Sequence, residues 1–94
     1  MNKVINERLY DTETAISLST FKTTTGIFHD KEYIETLFRK KTEEYFLYTK
    51  DGSKALDDLD KERITPLSVE NAKKWAEKHL SGKKYIEIFG EVQE

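Results

Sequence analysis

The sequence predicts a small α+β domain: an antiparallel sheet built on a central hairpin over about residues 32–50, with a C-terminal helix over about 68–81 packed on one face. Two segments that alternate like strands, EYIETLFRK (32–40) and EEYFLYTK (43–50), are separated only by a turn. SVENAKKWAEKHLSG (68–82) repeats apolar residues at helical spacing between a serine and a glycine. A chain of 94 residues suits one domain, 1–94, and not two.

Taken in order, residues 1–6 read as a loose start. NERLYD (6–11) alternates weakly and reads as a short extended segment with Leu9 and Tyr10 as burial candidates. Asp11 or Thr12 is a suitable cap, with Glu13 favourable in a first turn, so a short helix is expected to about Leu18. The competing reading there is β, because Thr, Ser and Ile are dense. SLSTFKTTTG (17–26) reads as a hydroxyl-rich connector anchored by Leu18 and Phe21, with Ile27 and Phe28 as a brief extended piece after it.

In the hairpin, Ile34, Thr36 and Phe38 should share one face and Tyr33, Glu35, Leu37 and Arg39 the other. Across the turn, Tyr45 and Leu47 should oppose Phe46 and Tyr48. Such a turn favours Gly at a left-handed position, and this chain offers Glu43 or Glu44. Residues 53–63 read either as a helical turn carrying Leu56 and Leu59 or as an acidic loop. ERIT (62–65) reads as a third strand stopped by Pro66. In the helix, Ser68 is the cap and Gly82 the end; Val69, Ala72, Ala76 and Leu80 form its stripe, with Trp75 and His79 at the edge. KKYIEIF (83–89) fits a second short helix, because Gly90 is a natural stop.

Composition narrows the function classes. Hydrophobic and charged residues each make up 36% of the chain, and five Phe, five Tyr and one Trp supply much of the core. The net charge of −2 lacks the positive excess of a protein held to DNA mainly by phosphate contacts, so any nucleic-acid role is local to one face. There are no cysteines, which removes disulfides, thiolate zinc sites and cysteine nucleophiles and fits a reducing cytoplasm. No apolar stretch has the length of a membrane span, and the N-terminus lacks the apolar region of a signal peptide.

His29 and His79 lie fifty positions apart with no metal-ligand spacing, so no metal site is expected. No GxSxG or glycine-rich phosphate loop is present, and the cluster Asp57, Asp58 and Asp60 reads as solvated. The expectation is a non-enzyme without cofactors. What remains is Arg39, Lys40 and Lys41 beside Tyr45, Phe46 and Tyr48. Cations that grip phosphate beside rings that stack on bases would make a nucleic-acid surface; the same residues also suit a protein contact or a solvated edge.

Four segments occur in order: LYDTETA (9–15), LFRKKTEEYFLY (37–48), ITPLSVENAKKWAEKHL (64–80) and YIEIFGEV (85–92). Together they resemble a family of small proteins carried by prophages and mobile elements of low-GC Gram-positive bacteria. That family is similar to phage-borne anti-CRISPR proteins directed at type II systems. The resemblance implies a non-catalytic, cytoplasmic counter-defence protein that binds a Cas9-type effector or blocks guide RNA loading. Arg39, Lys40 and Lys41 would supply electrostatic contacts and Tyr48 an aromatic anchor. The alternatives are an RNA- or DNA-binding accessory protein using the same hairpin, and a regulator of an unrelated host partner. The chain departs from the family pattern at Glu43, where a turn glycine is usual, and over 49–61 (TKDGSKALDDLDK), where a glycine-rich stretch is usual.

Overall fold

The computed structural model describes residues 1–25, 31–51 and 61–90. Within them the chain forms a three-layer α+β fold. Strands β1 (Asn2–Ile5) and β2 (Arg8–Asp11) make a two-stranded ribbon. Strands β3 (Ile16–Thr25), β4 (Lys31–Arg39), β5 (Tyr45–Asp51) and β6 (Lys61–Leu67) make an antiparallel sheet in chain order. Helices α1 (Val69–His79) and α2 (Gly82–Phe89) follow.

The hairpin forms as its alternation predicts. Leu37 sits opposite Leu47, and Phe38 opposite Phe46. Because directly opposed residues share a face, the leucines meet α1 on one side while the phenylalanines meet the ribbon on the other. The helix-side core holds Leu37, Leu47, Ala72, Trp75 and Ala76. The ribbon-side core holds Tyr10, Phe38, Phe46 and Ile64. A two-sided sheet lets a short chain enclose two apolar layers with one set of backbone hydrogen bonds.

Several expectations are corrected. The start is no loose segment: β1 and β2 are joined by Asn6 and Glu7, with φ of 52° and 64°. Two successive left-handed residues make the hairpin turn whose twist matches its strands. The helix expected from Asp11 or Thr12 to about Leu18 does not form. Asp11 accepts the Glu13 amide at 2.9 Å and caps only a turn, after which β3 begins. Here the β-branched residues Ile16, Thr20, Thr23, Thr24 and Thr25 prevail over the capping signal. The hydroxyl-rich connector is thus the longest strand of the sheet. Pro66 does not stop β6, which continues to Leu67. As an edge strand it tolerates a residue that donates no hydrogen bond.

In α1, Ser68 caps as expected, its hydroxyl accepting the Asn71 amide at 3.1 Å. Trp75 is not at a rim but buried, at 9% exposure, whereas Val69 is 49% exposed and leaves the expected stripe. The helix closes at Leu80, and Gly82 is the first residue of α2 rather than the end of α1. Gly90 ends α2 at φ 93°, a conformation that suits glycine. The expectations for Ile27, Phe28, His29, the 53–60 segment and its aspartates lie outside the described residues.

Candidate functional site at the hairpin tip

The tip of the β4–β5 hairpin is a short, well-defined turn. The Glu43 amide donates to the Lys40 carbonyl at 2.8 Å, and the Lys40 amide donates to the Glu44 carbonyl at 2.7 Å. Glu43 has φ 70° and occupies the left-handed position, as its place in the sequence predicts. A non-glycine residue there costs about 1–2 kcal/mol.

Side chains then tie the tip to the ribbon. The Glu44 carboxylate is the hub. It accepts from Arg8 Nη1 at 2.8 Å and from the Thr42 hydroxyl at 3.0 Å, and it lies 3.4 Å from Lys40 Nζ. The Thr42 hydrogen bond, followed by those from Arg8 and Lys40 and the Lys40 charge, holds its carboxyl below the usual value; partial desolvation opposes this. Lys40 Nζ also lies 4.3 Å from the centre of the Tyr10 ring, a cation–π contact.

The predicted cations therefore separate into two kinds. Lys40 points inward: its side chain is only 15% exposed and is held by Glu44 and Tyr10. Lys41 is exposed at the apex, and Arg39 is half-buried at the end of β4. Among the described residues, neither Arg39 nor Lys41 has an acidic partner within ion-pair distance. Tyr48 is set apart from the tip. It packs against the ribbon-side core and donates its hydroxyl to Glu62 at 2.8 Å.

The aromatics of the hairpin are mostly interior. Phe46 has 0% exposure; it stacks on Phe38 with centroids 5.0 Å apart and meets Tyr10 edge-on at 5.5 Å. Tyr45 is half-buried against Phe89 at 5.6 Å. The tip thus offers cations without a fully exposed ring on which a base would stack.

Reading the hairpin alone misses the ribbon's share of the surface. A groove of about 340 Å³ opens between the tip and the ribbon. Arg8, Leu9, Thr14, Ala15, Lys41 and Thr42 line it, with Asp11 and Lys40 completing its walls. The Arg8 side chain is 62% exposed and Leu9 is 53% exposed. An apolar residue that open, in a groove also lined by two exposed cations, gives the groove a mixed character common at protein contacts. Asn6 is the sequence signal that would have revealed the ribbon, since Asn tolerates left-handed turns better than most residues.

A second cluster fixes α1 to the sheet. One Glu35 oxygen accepts from Trp75 Nε1 at 3.2 Å and lies 3.6 Å from His79 Nε2, while the other accepts from the Tyr33 hydroxyl at 2.9 Å. His79 lies against Phe21 at 4.2 Å and Trp75 at 5.0 Å. Burial, helped by the Glu35 hydrogen bond and charge, pushes the Tyr33 phenol up; Thr49 and Arg63 act the other way. This group is an internal staple: among the described residues no buried side-chain polar atom lacks a partner.

Among the described residues no cluster of His, Cys, Asp or Glu has the geometry to hold a metal ion, and no helix is long and apolar enough to cross a membrane. Comparison with known protein families, with curated proteins and with solved structures finds no match to this chain.

Proposed function

We propose that this chain is a non-catalytic counter-defence protein of a phage or mobile element, an anti-CRISPR that binds a Cas9-type effector and occludes its guide-loading or DNA-entry surface. The observation that carries the reading is the groove at the hairpin tip, which exposed Lys41, exposed Leu9 and Arg8, the last paired with Glu44, line together. The cations would steer the chain toward an acidic or RNA-bearing effector surface. Leu9 would supply the apolar contact that a stable protein complex needs. The four segments that resemble prophage-borne anti-CRISPR proteins support the same reading, and two of them, LYDTETA and LFRKKTEEYFLY, build the groove.

The test is a Cas9 cleavage assay with the purified protein, added once before guide RNA and once after the ribonucleoprotein has formed. Inhibition only in the first order assigns the step to guide loading. Inhibition in both orders assigns it to DNA entry or nuclease motion. An Arg8→Ala, Leu9→Ser, Lys41→Ala variant should lose inhibition while keeping its circular dichroism spectrum. Absence of inhibition in either order, across several Cas9 types, rejects the proposal.

A further inference from the structure

The two edges of the four-stranded sheet are unlike. β6 carries the features that discourage strand addition: Pro66, the charged residues Glu62 and Arg63, and a helix that follows at once. β3 forms the opposite edge and is the longest strand, at 10 residues. It has no proline and a single charge, Lys22, and among the described residues its one neighbour is β4. Its one irregularity is the register shift between Ser17 and Ser19. That bulge leaves Ser19–Thr23 as a regular, β-prone stretch, and Phe21 within it is only half-buried although it belongs to the helix-side core.

We propose that β3 is an association edge along which two copies of this chain pair antiparallel, joining their sheets into one of eight strands. Geometry restricts the register, and charge and the half-buried Phe21 then choose it. A two-fold axis normal to the sheet keeps each residue on its own face, so a residue can only oppose one of the same face. The axis must then pass through a residue and not between two. Centred on Lys22 it would set like charges directly opposite, which is destabilising. Centred on Phe21 it sets Phe21 against Phe21, Ser19 against Thr23, and Lys22 against Thr20. The aromatic pair completes the burial that β3 lacks in a single copy, and no charge lies directly opposite a like charge. A second copy is therefore a suitable occupant, because one hydroxyl-rich strand with a single charge satisfies both sides.

Sedimentation equilibrium over micromolar to millimolar protein tests this directly. The expected result is a concentration-dependent species of twice the 11.1 kDa chain mass. Thr20 is exposed and opposes Lys22 twice in the dimer. Thr20→Glu should therefore tighten dimerisation about fivefold at low salt, and Thr20→Lys should weaken it about fivefold. Since the Thr20 hydroxyl bonds Thr36 at 3.1 Å, both variants are checked for a wild-type circular dichroism spectrum. The absence of cysteine permits a second measurement that does not depend on charge. Chains carrying Thr20→Cys and chains carrying Lys22→Cys, mixed with oxidised glutathione, should cross-link to each other in preference to themselves. A chain that stays at 11.1 kDa at every concentration overturns the proposal. So does a dimer whose affinity moves the same way in both Thr20 variants, or one in which like chains cross-link as readily as unlike ones.

Discussion

Replacing Phe46 by leucine tests whether the hairpin's rings are structural or a contact surface. Phe46 is fully enclosed, stacked on Phe38 at 5.0 Å with planes 5° apart and met edge-on by Tyr10 at 5.5 Å. Leucine keeps the site apolar but loses about one methylene of buried volume, about 1 kcal/mol. It also forfeits two ring pairs, each about 0.5–1.5 kcal/mol. The sum is about 2–4 kcal/mol, taken from a total of about 5–14 kcal/mol for a chain this size. The midpoint of thermal unfolding should fall by about 10–30 °C. Urea unfolding, followed by circular dichroism and by Trp75 fluorescence, gives the free energy directly. A loss under about 0.5 kcal/mol, which is the range of ordinary surface substitutions, would refute the reasoning. Phe46 would then be a surface ring and the ribbon would not cover it.

Four further outcomes are expected. Glu35→Ala leaves the Trp75 indole N–H and the Tyr33 hydroxyl without their acceptor, so stability should drop by about 2–3 kcal/mol, and by less in Glu35→Gln; equal losses would discount the staple. Glu7→Gly and Glu43→Gly each remove a side chain from a left-handed position and should stabilise by about 0.5–1 kcal/mol; destabilisation by either would mean its side chain does more than occupy a turn. Because the folded Glu44 carboxyl lies below its ordinary 4.5, its contribution is complete above that pH and fades as pH falls through the lower folded value; carboxyl NMR showing titration at or above 4.5 would contradict the hub. Tyr33 runs the other way: its folded value is raised, so its stabilisation is present below 10.0 and is lost as pH rises past it, and alkaline unfolding of Tyr33→Phe should lack that component.

What the sequence made legible were elements whose local signals agree. The hairpin has alternation, aromatic content and a short turn, and α1 has a cap, an apolar stripe and a cationic last turn. Where local signals conflict, the stronger interaction decides the structure. Asp11 and Thr12 are good caps, but a cap contributes about 1 kcal/mol, and the following β-branched run pairs with β4 along its whole length. The tip was legible as a turn but not as half of a groove. The other half comes from Arg8 and Leu9, about thirty residues earlier, and tertiary proximity of that kind leaves no local trace. Lys40 shows the same limit. Its sequence neighbours give three equivalent cations, whereas Tyr10 and Glu44 take one of them inward.

The chain-order arrangement of the sheet also governs how the protein can form and open. In the four-stranded sheet β4, β5 and β6 each pair with the strand made just before, so no pairing there waits for a distant partner. Short sequence separations favour rapid folding, and the β4–β5 hairpin, whose turn is closed by backbone hydrogen bonds among Lys40, Glu43 and Glu44, is a natural nucleus. The same arrangement divides the sheet unevenly: among the described residues β4 and β5 each have two strand partners, whereas β3 and β6 have one. Backbone amides of the two central strands should therefore be the last in the sheet to exchange with solvent, and those at its edges the first.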